Sequence, residues 1–162
     1  MEEKVKERDD LCKILERLKA GGKRVVFTNG CFDLLHIGHL RYLEKAKALG
    51  DILVVGVNSD ASVQVLKGSR RPVLPLEERM ELLSGLECVD YVVSFDEPTP
   101  LELITALKPH TLVKGGDWSK ENIVGKEVVE SLGGEVVPLP FIEGNSTSRL
   151  IETIIERYAN RD

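Results

Sequence analysis

The chain contains three cysteines, Cys12, Cys31 and Cys88, and no two of them stand as CxxC. So odd and scattered a set offers neither a disulfide framework nor a cysteine zinc site. Long apolar runs are missing as well. The longest, Ile52-Leu53-Val54-Val55-Gly56-Val57, falls far short of the roughly 20 residues a membrane helix needs. The charged start, Met1-Glu2-Glu3-Lys4, is followed by no signal-type stretch, so a cytoplasmic location without a membrane partner is expected. Basic charge is in deficit, with 22 Lys and Arg against 27 Asp and Glu and a net charge of −5. That balance argues against nucleic acid as a partner, although a local basic pocket is compatible with it. Several motifs are also absent: the GxxxxGK[ST] phosphate loop, GxGxxG after a strand, the GxSxG elbow and HExxH.

What is present is a domain-sized chain of 162 residues, 42% hydrophobic and 30% charged, enough to bury a core without cross-links. Leu11, Ile14, Leu15 and Leu18 recur at helical spacing and predict a helix over 2–20, ended by Gly21-Gly22. Beyond it, strands are predicted at 24–28, 52–57, 91–95, 111–114 and 135–139. Helices are predicted at 37–49, 60–66, from Pro75, from Thr99-Pro100 to Leu107, at 121–132 and from Ser146 to Tyr158. Near-continuous apolar strands alternating with helices imply an α/β fold: a Rossmann-like open parallel five-stranded sheet with helices on both faces. We divide the chain into an N-terminal helical extension, 1–22, and one domain, 23–162. Ligands of such sheets bind beyond the carboxyl ends of the strands. His36, His39, Lys67, Gly115, Gly116, Ser146 and Thr147 all follow predicted strands.

Two of the three histidines lie three apart in Thr28-Asn29-Gly30-Cys31-Phe32-Asp33-Leu34-Leu35-His36-Ile37-Gly38-His39. A helix opening at His36 or Ile37 puts both imidazoles on one face beside unpaired backbone N–H groups and the positive end of the helix dipole. With Gly38 allowing close approach, this is a site for phosphate oxygens. A zinc reading lacks a third ligand beyond Asp33, and an incidental pair leaves the intervening glycine unexplained. Cys31 reads better as a small buried residue than as a nucleophile, because no paired base is visible. The stretch Glu143-Gly144-Asn145-Ser146-Thr147-Ser148-Arg149 could simply cap the last helix, and it could equally hold phosphates. Lys114-Gly115-Gly116-Asp117 lets backbone approach a flat ligand. Lys67, Arg70, Arg71 and Arg79 could supply cationic charge, though each alone reads as a solvated surface residue.

His36-Ile37-Gly38-His39 matches the HxGH signature of the nucleotidyltransferase superfamily, and Ser146-Thr147-Ser148-Arg149 resembles its second motif. Together with Val57-Asn58-Ser59-Asp60, Leu66-Lys67-Gly68, Arg71-Pro72, Val113-Lys114-Gly115-Gly116-Asp117 and Leu139-Pro140-Phe141, the set most resembles the heptose 1-phosphate adenylyltransferases, or ADP-heptose synthases. These occur alone or as the C-terminal half of a bifunctional kinase–adenylyltransferase. Ser148 stands where threonine is frequent, and Trp118 where tyrosine is. An Asp-Trp pair also occurs in glycerol-3-phosphate cytidylyltransferases, which are the enzyme alternative. A nucleotide-binding regulator without turnover is the alternative from another class. Met1–Gly22 is too short for a kinase, so a separate heptose 7-phosphate kinase is expected.

The resemblance implies transfer from ATP to a D-glycero-D-manno-heptose 1-phosphate for lipopolysaccharide or other surface-glycan precursors, with Mg²⁺ bound to ATP and no metal site in the protein. It implies a homodimer or higher assembly. His36 and His39 are expected on the α- and β-phosphates, Ser146 and Thr147 on the β- and γ-phosphates. Asn29, Gly30, Cys31, Phe32, Gly38 and Gly144 would line the nucleotide phosphates. Lys114, Gly115, Gly116 and Asp117 would border the base and ribose. Lys67 and Arg79 are the expected cations for incoming phosphate or leaving pyrophosphate, and Asp33 for the sugar or a magnesium-linked contact.

Overall fold

The computed structural model describes residues 2–116, 120–140, 144 and 146–159. Five parallel strands, β1 (Val25–Gly30), β2 (Ile52–Asn58), β3 (Tyr91–Phe95), β4 (Thr111–Gly115) and β5 (Glu135–Leu139), lie in the order β3-β2-β1-β4-β5. Seven helices accompany them among the described residues: α1 (Arg8–Ala20), α2 (Ile37–Lys47), α3 (Asp60–Lys67), α4 (Leu76–Ser84), α5 (Leu101–Leu107), α6 (Lys126–Ser131) and α7 (Thr147–Tyr158).

The apolar strands carry two cores because alternate residues face opposite sides of the sheet. Val25 and Phe27 of β1 pack with Leu11 and Leu15 of α1, Leu103 and Leu107 of α5 and Val129 of α6. Val26, between them, packs with Leu43 and Ala46 of α2 and Leu83 of α4. Leu11 and Leu15 are fully buried. The apolar stripe on α1 thus packs into the core on that face of the sheet.

Two predicted helices are shorter in the structure, each for a tertiary reason. The first begins at Arg8 because Val5 bridges to Val92 in parallel, and Lys6 N donates to Val92 O at 3.0 Å. This brief pairing covers part of the open edge of β3. The helix predicted at 121–132 resolves into a 3₁₀ turn at Lys120–Asn122 and α6. Gly125 separates them at φ +95°, where a Cβ would stand 2.7 Å from Ile104 Cδ1.

Strand order reverses at β1. It pairs with β2 over six positions, from Val25↔Ile52 to Gly30↔Val57, but with β4 only at Val26↔Thr111 and Phe27↔Leu112. Beyond that second rung β1 and β4 part. A crevice at this switch point is where open α/β sheets bind ligands.

Candidate active site

The loop leaving β1 carries the His36/His39 segment, and α2 begins at Ile37. His36 is the helix cap, in extended conformation at φ −136° and ψ 175°. Its Nδ1 accepts from Gly38 N at 3.1 Å, and His39 Nδ1 accepts from His36 N at 3.3 Å. The two imidazoles thus perform the reciprocal capping that Ser and Glu perform elsewhere. With each Nδ1 accepting from an amide, the ring proton of each neutral imidazole sits on Nε2. The rings stack, with centroids 3.8 Å apart and planes inclined by 25°. Burial lowers the pKa of His36, and burial together with neighbouring His36 brings His39 down to about 4. At neutral pH the pair is two uncharged N–H donors at a helix N-terminus. Phe32, whose ring lies 5.3 Å from that of His39, has φ +46°. A non-glycine residue in that region records local backbone strain.

Two charged residues named from the sequence occupy different surroundings from those expected. Asp33, 1% exposed, accepts from Val73 N and Leu74 N and pairs with Arg71 Nε at 2.7 Å. Burial pushes its pKa up, but those backbone donors and Arg71 outweigh burial and leave it lowered. Its carboxylate is engaged by the 71–74 loop. Arg79 is fully buried. Its Nε donates to Leu74 O, Nη1 to Cys31 O and Asn58 O, and Nη2 to Asp60 Oδ1. A guanidinium so engaged clamps α4 to the loop after β1, the end of β2 and the start of α3. Asp33 and Arg79 together lock the 31–33 and 71–74 segments to each other.

The remaining candidates gather around the same end of the sheet. Thr147 Oγ1 donates to Leu34 O at 3.4 Å, so the first turn of α7 lies against the loop that leads into α2. Ser146 caps α7 by accepting from Arg149 N at 3.0 Å, and Gly144 is an exposed turn residue at φ +80°. The hydroxyl proton of Ser146 is not consumed by that cap. Asn29 and Gly30 end β1 half-buried, Gly38 is buried in the first turn of α2, and Gly115 ends β4. Gly116, at φ +108°, donates its N–H to Leu139 O. Asp117 lies outside the described residues.

Lys67, exposed at the end of α3, is close enough to half-buried Lys114 of β4 and to Cys31 to perturb both. Burial lowers the pKa of Lys114, and Lys67 adds to the fall. Burial raises the Cys31 thiol against the pull of Lys67, Arg79 and Arg71, so it stays protonated, as a small packing residue does. Among the described residues no three His, Cys, Asp or Glu are placed to hold a metal ion.

Tyr42 was not singled out from the sequence. Its hydroxyl is 2.6 Å from Thr28 Oγ1 and donates to Val113 O at 3.4 Å. The available signal was a polar-tipped ring three residues after His39, on the same face of the same helix.

Residues 27–152 match the cytidylyltransferase-like family. The chain belongs to that family. The bifunctional protein HldE of Pelobacter propionicus is 58% identical over 156 residues, covering 96% of this chain and 32% of that protein. HldE of Helicobacter hepaticus is 55% identical over 154 residues, covering 95% and 31%. The chain thus spans about a third of the length of the curated relatives it matches. A solved lipopolysaccharide core biosynthesis protein from Thermoplasma volcanium superposes with a TM-score of 0.60 at 28% identity, covering 76% of this chain and all of that one. Pantoate-beta-alanine ligase from Francisella tularensis shares the fold, with a TM-score of 0.62 at 16% identity over 98% of this chain and 79% of the ligase. Among the described residues no helix is long and apolar enough to cross a membrane.

Proposed function

We propose that this chain is an adenylyltransferase that joins ATP and D-glycero-D-manno-heptose 1-phosphate to give ADP-heptose and pyrophosphate. The observation that carries the reading is the reciprocal capping of His36 and His39, which fixes two neutral Nε2–H donors at the N-terminus of α2 beside the β1/β4 crevice. The HldE relatives and the lipopolysaccharide core biosynthesis protein support a heptose phosphate as acceptor. The product would feed lipopolysaccharide or another surface glycan.

The acceptor phosphate is already ionised at neutral pH, so its oxygen attacks the α-phosphorus without a general base. One P–O bond forms to the sugar phosphate, and the bond to the β-phosphate oxygen breaks, releasing pyrophosphate. The work left to the protein is alignment and compensation of charge on phosphoryl oxygens. His36 and His39 donate to α- and β-phosphate oxygens, and bonds to those oxygens strengthen as charge builds. Ser146 and Thr147 hold the β- and γ-phosphates at the start of α7. The backbone of Asn29, Gly30, Cys31, Phe32, Gly38 and Gly144 lines the phosphates, and Lys114, Gly115, Gly116 and Asp117 border the nucleoside. Lys67 draws in the acceptor phosphate. Asp33 and Arg79 act by holding the loops that carry these groups.

Magnesium enters this reading as a companion of ATP, since among the described residues Asp33 and Asp60 are engaged by Arg71 and Arg79. Mg²⁺ is commonly held by substrate phosphates plus few protein ligands, and there it would offset triphosphate charge. A cytoplasmic location and a heptose 7-phosphate kinase acting in the same pathway belong to this reading. A homodimer or larger assembly belongs to the same reading, and light scattering tests it.

The test of substrate is pyrophosphate release with Mg²⁺, crossing ATP, CTP and GTP with heptose 1-phosphate and glycerol 3-phosphate. Release confined to ATP with the heptose phosphate is expected. Release confined to CTP with glycerol 3-phosphate would overturn the substrate while keeping the phosphate chemistry. Silence with every pair would favour a binding protein.

A further inference from the structure

The two central strands of the sheet part between Phe27↔Leu112 and what would be the next rung, Thr28 opposite Val113. Each strand keeps its outer neighbour well beyond this point, to Gly30↔Val57 on one side and Gly115↔Leu139 on the other. The separation is therefore local to the switch point. At the missing rung stands a side chain. Tyr42 Oη is 2.6 Å from Thr28 Oγ1 and 3.4 Å from Val113 O. A carbonyl can only accept, so the donors run from Thr28 Oγ1 to Tyr42 Oη to Val113 O. Thr28 is fully buried, and burial pushes the Tyr42 hydroxyl up to about 12, so it stays protonated as a donor.

What the hydroxyl joins gives it its meaning. Thr28 immediately precedes Asn29-Gly30-Cys31, Val113 immediately precedes Lys114-Gly115-Gly116, and Tyr42 lies three residues after His39 on α2. Three segments that bear on the nucleotide, from β1, β4 and α2, therefore meet on one oxygen atom. We propose that Tyr42 is a positioning residue for phosphoryl transfer: its hydroxyl replaces the missing rung between β1 and β4, sets the width of the crevice there, and fixes the height of the histidine turn above it. The inference rests on the reading of 36–39 as the phosphate site. Its physical basis is general: a misplacement of about 1 Å in a catalytic group can cost about 100-fold in rate. On the far side of Thr28 no ladder rung substitutes for the tether, since the β1–β4 pairing ends at Phe27↔Leu112.

The test uses Tyr42→Phe, which keeps the ring packed against α2's core and removes one oxygen, and the double variant Thr28→Val with Tyr42→Phe. The single variant leaves a buried threonine hydroxyl unpaired and should melt earlier. In the double variant both polar partners are gone, a change that can be nearly neutral for stability. A purely structural bond would then be fully compensated. The positioning role predicts otherwise: in both variants kcat falls at least about 10-fold while KM for ATP holds within about threefold. In both, the imidazole ¹⁵N signals of His36 and His39 move in the nucleotide-free protein. Wild-type kcat together with unmoved imidazole signals in the double variant would overturn the inference. If the wild-type chain turned over no substrate pair, yet the imidazole signals moved in both variants, the adenylyltransferase reading would fail and the positioning role would stand.

Discussion

Acid should weaken this fold well above the range where its carboxylates protonate, and His39 sets the scale. In the folded chain its imidazole is held at about 4, against an ordinary 6.5, by burial and by the adjoining His36 ring. Between those two values the unfolded chain binds a proton that the folded chain refuses, so unfolding takes up protons and acid favours it. Stability is full above about 6.5 and is lost as pH falls toward 4. Linkage over that gap costs at most about 2 kcal/mol between pH 7 and pH 5. His36 and His110, both lowered by burial, act in the same direction. Glu97, held near 2 by its bond to Arg8, and Asp33, held down by its loop donors, contribute only at lower pH. Urea unfolding followed by circular dichroism at pH 7, 6 and 5 reads the effect as a falling midpoint at constant slope. His39→Asn should remove most of the pH dependence. A midpoint flat across this range, or one that falls equally in His39→Asn, would refute the buried neutral imidazole.

Replacing Arg79 by Met leaves three carbonyls and Asp60 without their donor and should cost about 3–5 kcal/mol. Lysine at 79 should not rescue it, because one ammonium cannot reproduce the fork. A thermal melt of Arg79→Met close to wild type would contradict the clamp. His36→Ala and His39→Ala should each lower kcat at least about 100-fold, the scale of losing a transition-state donor. Steady-state kinetics on folded variants checks this, and near-normal turnover in both would remove the histidines from the chemistry.

Much of this architecture can be read from local pattern. Both β3 and β5 fall where the apolar runs place them, and α2 opens at Ile37, as the histidine spacing requires. The histidine turn is legible for the same reason: its partners are within three residues of each other. The fate of Asp33 and Arg79 is not local. Their partners lie up to 48 residues away in sequence, and only the folded chain shows that a surface-type cation is spent on carbonyl oxygens. The shortened α1 depends on an edge strand some 87 residues distant, and the break before α6 on Ile104 filling the space beside Gly125. Tyr42 falls between these cases. Its place on the histidine face of α2 follows from spacing, but its partners follow from the strand order.

The most direct test of the account is to follow by ³¹P NMR the reaction of ATP, Mg²⁺ and D-glycero-D-manno-heptose 1-phosphate with the purified chain. Attack at the α-phosphorus predicts loss of the triphosphate signals and appearance of pyrophosphate with the paired doublets of a sugar nucleotide. Formation of ADP with a second phosphate on the sugar would place the attack at the γ-phosphorus, and so would contradict both the assigned reaction and the role given to His36 and His39.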